Sequence, residues 1–184
     1  MAFFILSNSA AAETGQITPD AVAADTVQTI TESYSVLMTG YNAVPEQTDS
    51  DPFTTASGAY SNPEIIAARS VDLKETLPFG TVIEIAFPEG DSRAPCGLSS
   101  VSHLVGYRVI ADSMHSRKRN QVDILFDNDD SIRVGGKKVN AATVLGVCKN
   151  IEIRVVGFID IRKMPRNQME LQLALGPTVL AMTK

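Results

Sequence analysis

Apolar and polar residues alternate in several short segments of the chain, and a period of two predicts β-strands that bury one face. The longest alternating segment covers residues 151–161. Shorter segments that alternate or form brief apolar runs lie at 34–41, 65–68, 82–87, 106–111 and 122–126. Turn residues separate these segments, and only residues 141–147 have the pattern of a short helix. Many short strands with few helices predict a mainly β protein, folded as an all-β barrel.

Other segments do not fit the strand pattern. Residues 42–58 contain two prolines, two aspartates and several hydroxyl side chains, which predicts a long ordered loop of a kind that is frequently functional. Residues 91–103 are interpreted as an irregular insertion, and 127–131 and 135–138 as turns. The C-terminal extension, residues 162–184, includes an apolar stretch that fits either a short strand or one helix.

The N-terminal residues predict export. Residues 1–12 place a short apolar core before Ser-Ala-Ala-Ala, as in the second half of a secretory signal, although a basic n-region is missing. The alternatives are a truncated or misassigned start, or the beginning of a strand or helix. Residues 13–33 are rich in Thr, Ala and acids and predict a linker. The predicted domain therefore covers residues 34–161.

Composition narrows the possible functions. A length of 184 residues fits one domain with extensions. The formal net charge of −5 disfavours nucleic-acid binding, because no basic excess is present to neutralise phosphates. No apolar run reaches the ~18–20 residues that span a bilayer, so no transmembrane segment is expected.

Cys96 and Cys148 are the two cysteines. An even count in an exported chain favours a disulfide, and the alternative is two free buried thiols. With His103 and His115 scattered, the two cysteines do not form a zinc pattern, so no metal is expected.

The candidate chemistry lies in residues 107–126, which predict a strand, a polar loop and a second strand. Asp112 lies near the end of the first strand and Asp123 near the start of the second, eleven residues later. Carboxylates at strand ends on either side of a cationic loop suit acid–base chemistry on a polar substrate. The alternative is that both aspartates cap turns or pair with Arg117 and Arg119.

Several short motifs, in order, resemble the 3D domain, a family named for three aspartates and found in bacterial wall enzymes such as membrane-bound lytic transglycosylase A. The motifs are Thr39-Gly40-Tyr41, Thr55-Ala56-Ser57-Gly58, Ile66-Ala67, Leu77-Pro78-Phe79-Gly80-Thr81, and Asp112 followed by Asp123-Ile124-Leu125-Phe126. The resemblance covers about residues 34–161. It implies a six-stranded double-psi β-barrel with short helices, between N- and C-terminal extensions.

The resemblance also implies a function. Enzymes of this kind cleave peptidoglycan glycan strands between N-acetylmuramic acid and N-acetylglucosamine without water as nucleophile and without a cofactor. The expected location is secreted or periplasmic. The alternative function is a non-catalytic barrel, similar to expansins, that binds cell-wall glycan or a protein.

The expected catalytic residues are Asp123, Asp112 and Asp72. Asp123 is the candidate acid, and Asp112 is the neighbour expected to raise its pKa together with a partly apolar wall. In the family the first aspartate follows the Ile-Ala segment, where this chain has Arg69 or a neighbour. Asp72, a few residues later, is the candidate replacement.

Substrate-binding roles are expected for five residues. Tyr41 is a candidate to stack on a sugar ring, Thr55 or Ser57 to orient the carboxyl groups, and Arg117 and Arg119 to hold the muramyl carboxylate or peptide. The alternatives are a core position for Tyr41, ordinary turn roles for Thr55 and Ser57, and a solvated basic loop.

Overall fold

The structure, a computed structural model, describes residues 32–48, 51–86 and 96–176. The strands are β1 (Ser33–Asn42), β2 (Ile66–Arg69), β3 (Thr81–Ala86), β4 (Arg108–Ser113), β5 (Gln121–Phe126), β6 (Ser131–Val134), β7 (Lys137–Asn140) and β8 (Cys148–Phe158). The helices are α1 (Leu98–Val105), α2 (Ala141–Leu145) and α3 (Gln168–Leu175). The predicted signal remnant at 1–12 lies outside the described residues, as does the linker at 13–33 apart from its last two residues.

Six strands close into a barrel in the order β1-β5-β2-β4-β3-β8. The pairs β1–β5 and β2–β4 are parallel, and the remaining neighbours are antiparallel. In chain order the barrel strands are β1, β2, β3, β4, β5 and β8. If β1, β2 and β3 exchange places with β4, β5 and β8, respectively, every strand keeps the same kind of neighbours around the barrel. The parallel pair β1–β5 then maps onto the parallel pair β2–β4. This internal two-fold relation is the connectivity of a double-psi barrel, so the predicted fold class is confirmed.

Two apolar clusters lie on the two faces of the barrel wall. The first has members from all six barrel strands and forms the barrel interior, with α1 and α2 packed against it. The second includes Tyr41, Ile66, Ala68, Val109 and Leu125 and is covered in part by Leu171 of α3. Successive side chains of a strand point to opposite faces, so the second cluster lies on the outer face of the barrel. The candidate site is on this outer face.

The predicted strands are present with shifted ends. The segment predicted at 151–161 is β8, which begins earlier, at Cys148, and ends at Phe158. The predicted helix at 141–147 is confirmed as α2, and Asn140 caps it by accepting a hydrogen bond from Ala142 N at 2.9 Å. A further hairpin, β6–β7, was not predicted from the sequence. The turn predicted at 127–131 precedes it, and in the turn predicted at 135–138 only Gly135 and Gly136 connect the two strands, since Lys137 and Lys138 belong to β7.

The interpretation of residues 91–103 as an irregular insertion is wrong from Leu98 onward. Leu98, Val101 and Val105 are buried at helical spacing in α1, where they join the interior cluster. The helix is only eight residues long, so tertiary packing stabilises it more than intrinsic propensity does. The C-terminal extension contains a helix, α3, and not the short strand that was the other alternative for its apolar stretch. The longest α-helices of the described residues, α1 and α3, have eight residues each, too few to span a bilayer.

A disulfide joins Cys96 and Cys148, so the two thiols are not free. It connects the residue two positions before α1 to the first residue of β8, whose side chain is fully buried. Next to it, Gly97 N donates a hydrogen bond to Leu145 O at 3.0 Å. The disulfide therefore fixes the α1 segment against α2 and the barrel.

Candidate active site

Four residues on neighbouring strands form one row across the barrel. Asp123 pairs with Thr39 of β1 on one side and with Ala68 of β2 on the other, and Ala68 also pairs with Asp112 of β4. Adjacent strands lie about 4.8 Å apart, so about 10 Å separates the backbones of the two aspartates. Ala68 is the residue paired with both aspartates, and the charge of Asp112 acts on Asp123. The structure thus brings Asp112 and Asp123 together.

Asp123 lies in a largely desolvated environment. Its Oδ1 accepts a hydrogen bond from the Thr39 hydroxyl at 2.8 Å. Burial raises the pKa of Asp123 to about 6, and the charge of Asp112 adds to the increase, while the Thr39 hydrogen bond and the charge of Lys118 lower it. The neighbouring carboxylate was expected to raise this pKa together with a partly apolar wall; desolvation by burial is the larger cause and the charge of Asp112 the smaller one. A carboxyl group with a pKa near 6 is suited to act as a general acid near neutral pH.

Asp112 is held by three hydrogen-bond donors. Oδ1 accepts from Ala56 N at 2.9 Å and from Ser113 N at 2.8 Å, and Oδ2 accepts from the Tyr41 hydroxyl at 2.9 Å. All three contacts use Asp112 as an acceptor, which suits a carboxylate. Asp112 and Asp123 therefore occupy different environments: Asp112 accepts from three donors, whereas Asp123 accepts from one hydroxyl group and is desolvated by burial.

The motif Thr55-Ala56-Ser57-Gly58 contacts Asp112 through its backbone. Besides the bond from Ala56 N, Ser57 N donates to Ala111 O at 3.1 Å, which attaches the turn to the end of β4. The hydroxyl groups of Thr55 and Ser57 lie 3.0 Å from each other, and Thr55 also bonds to the backbone of Ala59. Both hydroxyl groups thus stabilise the turn, and the main chain of the turn orients the carboxylate.

Tyr41 contributes its hydroxyl group to the site. Its ring is buried in the outer-face cluster, with 8% of the residue exposed. Burial raises the pKa of Tyr41 well above its usual range, and the nearby Asp112 raises it further. The phenol therefore stays protonated and serves as a donor to Asp112.

Asp72 does not join the aspartate pair. It lies on an exposed 3-10 turn, Val71–Leu73, and its Oδ2 accepts from Asn120 N at 2.9 Å. Hydrogen bonds from Ser70 and Asn120 lower its pKa. Arg69, which the resemblance places at or next to the first aspartate of the 3D family, is buried. Its Nε donates to Leu77 O at 2.7 Å, and its guanidinium lies 4.8 Å from the Phe79 ring centroid.

The basic loop is exposed. The guanidinium of Arg119 donates to the backbone carbonyls of Ser116 and Lys118, and Arg117 N donates to His115 Nδ1 at 3.2 Å. Among the described residues, no ion pair joins Arg117 or Arg119 to Asp112 or Asp123. Lys118 is the loop cation whose charge acts on Asp123.

A cleft of about 440 Å³ lies elsewhere, lined by residues that include Glu64, His103, Asp127 and Asp130. Neither Asp112 nor Asp123 lines it. In the described part of the chain, no group of three or more His, Cys, Asp or Glu side chains is arranged to hold a metal ion.

Two residues were not predicted from the sequence: Thr39, which donates to Asp123, and Gln121, which donates to Thr39. Thr39 is within the Thr39-Gly40-Tyr41 motif, which was the only available signal for it. Gln121 donates through Nε2 to Thr39 Oγ1 at 2.7 Å. No sequence pattern indicated Gln121, because the contact depends on the pairing of β1 with β5, more than 80 positions apart.

Neither the protein-family models nor the curated proteins include a match to this chain. Fold and site therefore define its class: a double-psi β-barrel with a pair of aspartates on the outer face of β4 and β5.

The raised pKa of Asp123 predicts that stability depends on pH. The pKa in the folded protein, about 6, lies above the ordinary value of 3.8, so folding favours the protonated form. The resulting stabilisation is fully present below about pH 3.8 and is lost as the pH rises through about 6. Urea unfolding at a series of pH values should show that the stability of the wild type relative to Asp123→Asn falls over this range, because the lowered pKa values of Asp72 and Asp160 act equally in both proteins. Asp129→Asn, at an exposed turn, should behave like the wild type; identical pH dependence in wild type and Asp123→Asn would contradict the assignment.

Proposed function

We propose that this protein is an exported enzyme that cleaves peptidoglycan between N-acetylmuramic acid and N-acetylglucosamine and forms 1,6-anhydro products. The observation that carries the proposal is the environment of Asp123, a desolvated carboxyl group with a pKa of about 6 that lies beside a second, donor-held carboxylate. The double-psi barrel and the motif series resembling the 3D domain support the same function.

The proposed reaction needs one acid that later acts as a base. Protonated Asp123 gives its proton to the glycosidic oxygen, and the bond between that oxygen and C1 of the muramyl residue breaks. The oxygen of the C6 hydroxyl group of the same sugar then bonds to C1, and its proton passes to Asp123. The carboxyl group is thereby restored in its protonated form, and no water is consumed.

Asp112 is proposed to stabilise the transition state. Positive charge develops at C1 as the glycosidic bond breaks, and a fixed carboxylate nearby lowers the energy of that state. Its three donors hold the carboxylate in place during the reaction. The exposed cations Arg117, Lys118 and Arg119 are proposed to attract the muramyl carboxylate or the stem peptide.

Export is supported by the disulfide, since such bonds persist in oxidising compartments. The apolar N-terminal residues and their small-residue run add to this argument. Secretion or a periplasmic location follows as part of the proposal.

Digestion of purified sacculi tests the reaction type. We expect the wild-type protein to release muropeptides that end in 1,6-anhydro-N-acetylmuramic acid, identified by mass spectrometry. The rate should fall as the pH rises above about 6, because Asp123 must be protonated for the first step. Release of only reducing-end products would instead identify a hydrolase.

A non-catalytic barrel that binds cell-wall glycan or a protein is the second candidate. It is favoured by the buried Arg69, which the resemblance places at or next to the first family aspartate, and by the use of Asp72 in a turn contact. This candidate predicts that the wild type sediments with sacculi and releases no product at any pH from 4 to 8.

A further inference from the structure

Gln121, Thr39 and Asp123 form a continuous chain of side-chain hydrogen bonds. Gln121 and Asp123 lie on the same face of β5, two residues apart, and Thr39 is opposite Asp123 on β1. Gln121 Nε2 lies 2.7 Å from Thr39 Oγ1, and Thr39 Oγ1 lies 2.8 Å from Asp123 Oδ1. Gln121 is 3% exposed, so water does not compete freely for its amide.

The two hydrogen bonds that link Gln121, Thr39 and Asp123 run in one direction. A threonine hydroxyl has one hydrogen, and here the oxygen already accepts a hydrogen from the Gln121 amide. The hydroxyl hydrogen is therefore directed at Asp123 Oδ1. We propose that Gln121 and Thr39 are positioning residues that hold Oδ1 of Asp123 as an acceptor, so that Oδ2 is the atom that carries the acidic proton and delivers it to the substrate.

Asp72 contacts the residues around Gln121, where this series of hydrogen bonds begins. The Ser70 hydroxyl oxygen accepts from Gln121 N at 3.0 Å, and Ser70 also bonds to the carboxylate of Asp72. Asp72 accepts in addition from Asn120 N, the residue before Gln121. Asp72 therefore fixes the start of β5, where Gln121 lies, from outside the aspartate pair.

The other described groups that face Asp123 do not donate a hydrogen bond to it. From β4, Asp112 acts through its charge, and from the basic loop Lys118 acts with the opposite sign. Tyr41 of β1 directs its hydroxyl to Asp112, and Ala68 of β2 offers only a methyl group. Thr39 is thus the side chain that donates to Asp123 among the described residues.

The titration of Asp123 in the full chain tests the proposal without substrate. Carboxyl carbons are followed by NMR in protein labelled at aspartate, and the Asp123 signal is identified by its loss in Asp123→Asn. Thr39→Val removes the donor at nearly unchanged volume and should shift the midpoint upward by about half a pH unit or more. Thr39→Ser keeps a hydroxyl and should stay close to the wild type. Thr54→Val, at an exposed position, is the matched control and should leave the midpoint unchanged.

Gln121→Met provides a second variant should Thr39→Val not fold. It removes the amide that directs the hydroxyl, so the midpoint of Asp123 should again rise, by less than in Thr39→Val. A wild-type midpoint in a folded Thr39→Val or Gln121→Met protein would overturn the proposal.

The transfer of the proton to the substrate rests on the proposed function, whereas the placement of the proton on Oδ2 of Asp123 does not. If the midpoints shift as expected and the wild type releases nothing from sacculi, the positioning role stands and the enzyme proposal fails. If the wild type releases anhydro products and the midpoints do not shift, only the positioning role fails.

Discussion

Asp123→Asn is expected to reduce the release of 1,6-anhydromuropeptides from sacculi about 10³-fold or more. An asparagine neither donates an acidic proton to the glycosidic oxygen nor removes one from the C6 hydroxyl group, and general acid–base catalysis typically contributes about 10²–10⁴-fold. Initial rates of product release, measured by liquid chromatography with mass spectrometry at pH 5, give the comparison with the wild type.

The fold of Asp123→Asn should persist, because the amide has nearly the same shape and its oxygen still accepts from Thr39. Circular dichroism and urea unfolding check this. Asp129→Asn, at an exposed turn, is the matched control and should keep wild-type activity. Wild-type rates in folded Asp123→Asn would remove Asp123 from the mechanism, and loss of activity in Asp129→Asn would show that the effect is not specific to the site.

Removal of the disulfide should lower the free energy of unfolding by about 4 kcal/mol. Cys96 and Cys148 are 52 residues apart in sequence, and in the chain-entropy model a cross-link over a loop of this length restricts the unfolded chain by that amount. The double variant Cys96→Ala, Cys148→Ala removes the link without leaving one thiol free. Urea unfolding with and without a reductant measures the difference.

The reductant itself supplies the control for this experiment. It should destabilise the wild type by a similar amount and leave the double variant unchanged. Equal stability of the wild type and the double variant would show that the unfolded state is not restricted by the link. In the folded double variant Asp123 should titrate as in the wild type, because the aspartate pair lies on the outer face and Cys148 belongs to the interior cluster.

Alternation and brief apolar runs predicted the barrel strands because both patterns are local. β8 alternates between buried and exposed positions, whereas β2 is buried at all four of its residues. Residues 151–161 show the alternation most clearly, and β8 covers most of that segment. α1 was missed because three apolar residues at helical spacing, Leu98, Val101 and Val105, are too few to distinguish a helix from a loop. The buried Arg108 also had no local signal: its guanidinium is satisfied by backbone carbonyls of other segments, including those of Pro63 and Leu125.

The candidate site was likewise predicted only in part from the sequence. The spacing of Asp112 and Asp123 placed both on consecutive predicted strands, but these strands are not neighbours in the barrel, since β2 lies between them. Because β2 lies between β4 and β5, Ala68 lies between the two aspartates. The position of Asp72 was less predictable, because a shift of a few residues past the end of a strand moved it onto an exposed turn.

The amino-acid pattern alone was sufficient to predict a mainly β barrel with two aspartates at strand ends, because these features depend on neighbouring residues. The tertiary structure decided the rest. Strand order and register placed Thr39 beside the half-buried Asp123, and desolvation is the main cause of its raised pKa. Desolvation and hydrogen bonding at Asp123 depend on segments far apart in the chain, so the chemistry of the pair of aspartates emerges only when the barrel closes.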